Sequence, residues 1–428
     1  MENIILLSAI VMLVLLFLKV PVFISILAGA AVYFVANPNV STAIFAQRMI
    51  SSQQSTTFLA VPFFALAGAM MNCTGVTRRI MDFCKVLTGR MCGGLAQVNV
   101  LLSTLMGGLS GSNIADAAME AKILVPEMER NGYSKPFSSA LTATSAIITP
   151  LIPPGIAMIM YGCISGVSIG QLFTAGIGVG LLLCVALMIL VHILSKKYGY
   201  LPIRTSKLTA QEKWKATKPA LLPLCLPIII IGGIRIGVFT ASEAGAVAVI
   251  YALILGLIYR EMTWRQFKDA IFETCISTCT IMMIVAAASV YSWVLTKEQI
   301  PQLLTSWIIT NVSNKYLFLI IINILLLILG MFIEGTASMI ILVPLLAPVA
   351  SAFNINEIQF AMVYIFNSAI GALSPPMGTL MFVTCGITKC KTKDFIIASL
   401  PFYVALIACL MILTFVPIVS TGLVDLIY

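Results

Sequence analysis

Apolar residues fall in long runs separated by short polar stretches. The runs near 4–18, 21–36, 58–72, 136–161, 169–195, 218–234, 240–259, 270–294, 359–388 and 395–416 read as membrane-crossing helices. The first three are short for a ~30 Å hydrocarbon core, so their boundaries are the least sharply drawn. Two further regions, 92–128 and 316–352, are apolar but interrupted. Gly107-Gly108-Leu109-Ser110-Gly111-Ser112-Asn113 breaks the first and Glu334-Gly335-Thr336-Ala337-Ser338 the second. A helix reaching such a cluster releases backbone polar groups, which is tolerable in a bilayer only against protein or a water-filled cavity. Both regions therefore read as re-entrant hairpins.

Composition fixes the class. The 428 residues are 60% hydrophobic and 10% charged, against roughly a quarter charged in soluble domains; this is an integral membrane protein. The net charge of +9 sits in short loops between apolar runs, which argues against a nucleic-acid binder. The eleven Cys are scattered without a CxxC pair, which excludes a disulfide scaffold. Cys275 and Cys279 lack His or carboxylate support and read as helix-packing residues. Ile4 to Leu18 has no basic n-region and continues through Lys19-Val20-Pro21 into a second apolar run, so it reads as a retained helix.

Charge orients the spans. With ten crossings and two hairpins, 21 basic residues share one face, including Lys19, Arg78, Arg79, Lys85 and the loop Lys196 to Lys218. Only Arg48, Arg235, Lys297 and Lys315 share the other. The positive-inside rule makes the first face cytoplasmic and both termini periplasmic. Treating either hairpin as a simple span would move the basic loops beyond it to the opposite side.

The two halves echo each other. Ser145-Ala146-Ile147 precedes Pro153-Pro154-Gly155, and Ser368-Ala369-Ile370 precedes Pro375-Pro376-Met377-Gly378. Each hairpin runs into Leu-Val-Pro, at Leu124-Val125-Pro126 and Leu342-Val343-Pro344. Beyond each Pro-Pro pair a Phe follows at a like remove, Phe173 and Phe395. Four such correspondences in order indicate duplication, and the parity of crossings makes it inverted. The predicted fold is an all-α polytopic membrane protein of two inverted repeats, 1–200 and 218–428, joined by a basic cytoplasmic linker at 201–217. Inverted repeats with discontinuous helices are secondary-transporter architecture.

The Pro pairs cannot donate backbone hydrogen bonds, so each unwinds a helix near mid-membrane. Helix ends present carbonyls suited to Na⁺, and helix starts present N–H groups suited to a carboxylate. One expected Na⁺ site combines Ser110, Gly111, Ser112 and Asn113 with Ser145, Thr149, Pro150 and the other carbonyls before Pro153. The other combines Gly335, Thr336 and Ser338 with Asn367, Ser368, Gly371 and Thr379. Hydroxyl, amide and carbonyl oxygens are hard neutral ligands; capping half-helices or joining helices is the plainer role for each alone.

Ionisable groups inside apolar stretches are candidates by default. Asp116 and Glu120 share one helix face, and Asp116 also suits a helix start. Glu334 sits at the second tip, as a cation ligand, a gate or a loop-fixing group. Pro153, Pro154, Pro375 and Pro376 complete the substrate or gating candidates. Glu243 reads as a helix N-terminal carboxylate, and Arg235 and His192 as interfacial residues.

At Gly107 to Asn113 with Ala115-Asp116-Ala117, and at Thr149-Pro150-Leu151-Ile152-Pro153-Pro154-Gly155, the chain resembles the large membrane subunit of tripartite ATP-independent periplasmic (TRAP) transporters. Asn367-Ser368 and Ser374-Pro375-Pro376-Met377-Gly378 agree, so the resemblance covers essentially the whole chain. It implies an elevator-type secondary transporter of the ion-transporter kind, importing an organic acid with Na⁺ across a bacterial inner membrane and using no organic cofactor. C4-dicarboxylates and sialic acids are known substrates of the family. The implied partners are a soluble periplasmic substrate-binding protein and a small four-helix membrane subunit. With no extra helices before Ile4, that subunit is expected as a separate chain. The rivals are a stand-alone Na⁺/organic anion symporter, a channel, and an intramembrane serine protease read from Gly108-Leu109-Ser110-Gly111. The protease reading is weakened by His192, the only His, lying at the end of a span.

Overall fold

The computed structural model describes residues 2–18, 20–312 and 314–428, so Lys19, counted above on the basic face, lies outside the described residues. Among the described residues every regular element is helical. The chain opens with α1 (Glu2–Phe17) and α2 (Val22–Ala36), which pack side by side. Then come α3 (Ala43–Gln53), α4 (Ala60–Cys73, led in by a 3-10 turn from Thr56) and α5 (Val76–Thr88). The first interrupted region is α6 (Gly94–Ser110) and α7 (Asn113–Arg130). Next, α8 (Lys135–Ser145) tightens into a 3-10 segment over Ala146–Leu151 before α9 (Ile156–Ser165). After α10 (Ile169–Tyr198) come α11 (Ala210–Arg235), α12 (Ala241–Tyr259) and α13 (Trp264–Lys297). The second half continues with α14 (Ile300–Asn311), α15 (Lys315–Gly330), α16 (Gly335–Ala352) and α17 (Glu357–Gly371). It ends with α18 (Thr379–Thr388), α19 (Thr392–Phe415) and α20 (Ile418–Ile427).

Seven of these helices are long and apolar enough to cross a membrane, and α8 with its 3-10 extension and α9, bent by 42°, make an eighth. The predicted first two crossings are short helices of 16 and 15 residues, or about 24 and 22 Å at 1.5 Å per residue. By length α16 also qualifies as a span, so the hairpin reading there rests on the break between α15 and α16.

Several boundaries differ from the expectation. Between the second and third apolar runs lies the helix α3, and the long basic loop is shorter than expected because α10 runs to Tyr198 and α11 starts at Ala210. The reason at 210 is local: Thr209 and Glu212 form a capping box, which starts a helix ahead of the apolar run. The Thr209 backbone N–H and hydroxyl hold the exposed Glu212 carboxyl below its usual range. Thr240 and Glu243 form the same box at α12, bearing out the helix-start reading of Glu243. Arg235 donates to the Ile427 carbonyl at 3.1 Å, tying α11 to the C-terminal helix.

The amphipathic α5 was not expected. It buries Val76, Ile80, Met81 and Cys84 and turns its charges outward. Arg79 meets Glu261 at 2.7 Å and stacks 3.8 Å over Tyr259, while Lys85 meets Glu127 at 2.7 Å. Partly exposed pairs of this kind contribute about 0–1 kcal/mol, so they set position more than stability.

Two sets of helices meet in contact. In one, α4 packs on α12 and α13, and α13 on α2 and α3. In the other, α6, α7 and α8 pack on one another and on the 3-10 segment, and α15 and α16 pack on α17. Backbones approach closely at Gly330 and Gly371, where a Cβ on Gly371 would stand 2.6 Å from the Gly330 Cα. Backbone cannot yield there as a side-chain tip would. Gly371→Ala is therefore expected to cost about 1–3 kcal/mol through overpacking. Gly386→Ala, with nothing within 4 Å of its new Cβ, is expected to be neutral or slightly stabilising. Thermal unfolding midpoints of the two purified variants, set against the parent, check the contrast.

Candidate functional site

The first tip is built from a left-handed turn. Gly111 closes α6 at φ 63, a conformation glycine adopts without steric cost, and Ser112 caps α7 by accepting from the Ala115 N–H at 3.4 Å. A Cβ on Gly111 would lie 2.5 Å from the Pro154 carbonyl, so the tip touches the break between α8 and α9. The Gly111 carbonyl accepts the Ile156 N–H at 3.4 Å, joining tip and break through the backbone.

The breaks form a little before the Pro pairs. Regular α-helix stops at Ser145 and at Gly371, and both Pro-Pro bonds are cis. Released carbonyls find partners inside the protein: Leu380 N–H donates to Ala372 at 3.0 Å, and Tyr403 Oη donates to Leu373 at 2.8 Å. That is the requirement an apolar surrounding sets.

Tips and breaks meet at one cavity of about 510 Å³. Of the first predicted cluster, Ser110, Gly111, Ser112, Asn113 and Pro150 line it. Ser145 and Thr149 are fully buried behind them. Ser145 donates to Asn99 Oδ1 at 2.7 Å, and Thr149 donates to Asp116 Oδ2 at 2.8 Å. Of the second cluster, Gly335, Thr336, Ser368 and Thr379 line the cavity. The others turn to helix partners. Ser338 shares a hydrogen bond with Tyr364 at 2.9 Å, Asn367 donates to Asn323 Oδ1 at 2.9 Å, and Gly371 packs on Gly330.

Asp116 and Glu120 lie behind the first tip, both fully buried. Glu120 accepts from Ser103 at 2.7 Å, and one oxygen of each carboxyl has no partner. No Lys, Arg or His among the described residues pairs with either. Buried carboxyls without a basic partner are costly when charged, and their unpartnered oxygens stand beside an oxygen-rich tip. Glu334 stands at the N-cap position of α16 without a capping hydrogen bond, and accepts from the Thr336 hydroxyl at 2.6 Å. It lines the cavity, whereas Pro153, Pro154, Pro375 and Pro376 shape the breaks without lining it.

Four helices start at the cavity wall: α7 at Asn113, α9 at Ile156, α16 at Gly335 and α18 at Thr379. The Ile156, Ala115 and Leu380 N–H groups are taken by Gly111, Ser112 and Ala372, so it is chiefly the four helix dipoles that make that wall attractive to an anion. Carbonyl, hydroxyl and amide oxygens beside them are suited to a small hard cation. No group of three or more metal-binding His, Cys, Asp or Glu occurs among the described residues.

Sequence reasoning did not single out the opposite wall. It consists of α4, with Asn72, and α13, with Glu273, Ser277 and Thr280. Its signal was available, since Glu273 is the only carboxylate in the run 270–294 and Ser277 and Thr280 follow at i+4 and i+7. Two buried asparagines were also passed over. Asn99 joins α6 to α8 through Thr142 and Ser145, and Asn323 joins α15 to α17 through Asn367.

A family described as the tripartite ATP-independent periplasmic transporter, DctM component, matches residues 9–419. The sialic acid TRAP transporter large permease protein of Vibrio cholerae is 39% identical, over 94% of each chain. The 2,3-diketo-L-gulonate TRAP transporter large permease protein of Escherichia coli is 37% identical over 92% of each. The C4-dicarboxylate TRAP transporter large permease protein of Pseudomonas aeruginosa is 36% identical over 93% of this chain and 92% of that one. Among solved structures, the Alcanivorax borkumensis YdaH transporter matches 86% of each chain with TM-score 0.62 at 13% identity, a likeness of fold alone.

The buried hydrogen bond from Thr149 to Asp116 is directly checkable. Thr149→Val keeps the side-chain shape and removes the donor, and is expected to destabilise by about 1–3 kcal/mol. Thr149→Ser, which keeps the hydroxyl, should recover most of that loss in the thermal midpoint.

Proposed function

Because the chain belongs to the DctM component family of tripartite ATP-independent periplasmic transporters, we propose that it is the transport subunit of a Na⁺-coupled importer of a small organic acid. The acid is of the sialic acid or C4-dicarboxylate class, and the membrane is the bacterial inner membrane. A soluble periplasmic binding protein delivers the acid, and a small four-helix membrane subunit completes the membrane complex. No organic cofactor takes part, and the protein performs no covalent chemistry.

The observation that carries this reading is the convergence of four helix starts on one cavity flanked by two oxygen-rich tips. An anion meets the N–H groups while Na⁺ neutralises carbonyl ends and lies near Asp116, so each ligand lowers the electrostatic cost of the other. The tips and breaks form the moving part, as two inverted repeats, and slide as an elevator against the wall of α4 and α13. The basic loops lie in the cytoplasm and both termini in the periplasm.

Uptake into liposomes holding this chain and its small partner tests the proposal. An inward Na⁺ gradient is applied with labelled sialic acid or succinate outside, with and without the binding protein. Uptake requiring both Na⁺ and the binding protein is expected. Uptake with Na⁺ alone would instead establish a stand-alone symporter. Ser112→Ala and Thr336→Val should each raise the Na⁺ concentration for half-maximal uptake, about tenfold for the loss of roughly 1.4 kcal/mol of binding. A Hill slope of one for Na⁺ would count against two coupled ions.

A further inference from the structure

The cavity has two unlike walls. On one side the attraction for an anion comes from helix starts, each equivalent to about half a positive charge. The rest of the lining includes Glu273, Ser277 and Thr280 of α13, one helix face at i, i+4 and i+7, and Asn72 of α4. Among the described residues the only charged side chains lining the cavity are Glu273 and Glu334, and no Lys, Arg or His lines it.

Glu273 has no local duty. It sits nine residues into α13, whose N-terminus is already closed by Thr263 and Gln266. It is exposed, lines the cavity and forms no ion pair among the described residues. Asn72 presents an unpartnered Oδ1 on the same wall. Ser110, nine-tenths buried and with its hydroxyl unpartnered, lines the cavity from the tip side. Polar groups left without partners around a cavity are those a ligand satisfies.

We propose that Glu273 determines substrate specificity, and that the acid carried is a monocarboxylate whose body bears hydrogen-bond donors, hydroxyl or N–H, rather than a dicarboxylate. This rests on the transport reading above. The single carboxylate lies at the helix starts, and the donors on its body meet the Glu273 carboxylate, Asn72 Oδ1, Ser277 and Thr280. A dicarboxylate long enough to span the cavity would bring its second charge to Glu273, with no basic side chain there to offset the repulsion. Discrimination has two sources: Asn72 Oδ1, a buried acceptor that loses its solvation unless a donor replaces it, and the like charge of Glu273, which a second carboxylate would meet.

The test uses the purified complex of this chain with its small partner, with binding followed calorimetrically in Na⁺ buffer. The probes are gluconate and N-acetylneuraminate as hydroxyl-bearing monocarboxylates, γ-aminobutyrate as an N–H-bearing one, and succinate and fumarate as dicarboxylates. At least one donor-bearing monocarboxylate is expected to bind about tenfold or more tightly than either dicarboxylate, and which one does identifies hydroxyl or N–H as the donor. Glu273→Gln should narrow that ratio by weakening the monocarboxylate and strengthening succinate, and Glu273→Asp should restore part of it. Succinate or fumarate binding as tightly as the best monocarboxylate would overturn the proposal. So would a Glu273→Gln protein of parental melting temperature with an unchanged ratio, or a panel in which no donor-bearing monocarboxylate binds. Repeating the panel in K⁺ separates the two readings: binding that ignores Na⁺ sinks the coupling and leaves the specificity ratio readable.

Discussion

Backbone groups released inside apolar surroundings must be satisfied by the protein itself, and the site follows from that constraint. Where α8 and α17 stop, their last carbonyls and the N–H groups of the next helices have no water to turn to. The protein answers by bringing a second interruption alongside each break. Gly111 reaches the first break closely enough for its carbonyl to take the Ile156 N–H, and Gly330 lies on Gly371 at the second. Neither an interruption nor a break is stable alone at such a depth. Placed together, they satisfy much of each other's backbone and leave a small set of oxygens and N–H groups facing one cavity.

The same pairing explains the buried asparagines. A hairpin arm packed only through apolar contacts could slide along its neighbour, because dispersion contacts are weakly directional. Asn99 and Asn323 each fix an arm to the helix that ends at the break, through hydrogen bonds of 2.7 and 2.9 Å. Register is thereby set by side chains near the point where the backbone is least able to set it. Asn367 donates its amide N–H to Asn323, and its Oδ1, the atom that could ligate a cation, stays unpartnered and does not line the cavity.

Most of the architecture was legible in the sequence because it is written in long signals. Apolar run length gave the helices, Pro-Pro gave the breaks, and small polar clusters gave the tips. What escaped was written in short or three-dimensional signals. The helices α3, α5 and α14 are amphipathic or polar and lie outside the apolar runs, so run length passes over them. The start of α11 at Ala210 is set by one capping box, a four-residue signal inside a basic loop. Within the predicted clusters, composition marked oxygen-rich positions correctly as polar but could not say which way they face. Ser338 and Asn367 turn to Tyr364 and Asn323, whereas Ser112 and Thr336 reach the cavity.

Glu273 was hidden for a different reason. Attention to interruptions favours residues at breaks, and Glu273 sits within an unbroken helix of 34 residues. Its weight appears only once the helix is placed opposite the tips, because an unpaired carboxylate matters according to what it faces. There it supplies the one property the interrupted elements cannot. Helix starts attract any anion, and carbonyl ends attract any small cation, so neither distinguishes one organic acid from another. Selection requires a fixed charge on an element that does not itself bind the carboxylate. The contact between α13 and the tips provides that arrangement, with attraction on one wall and discrimination on the other.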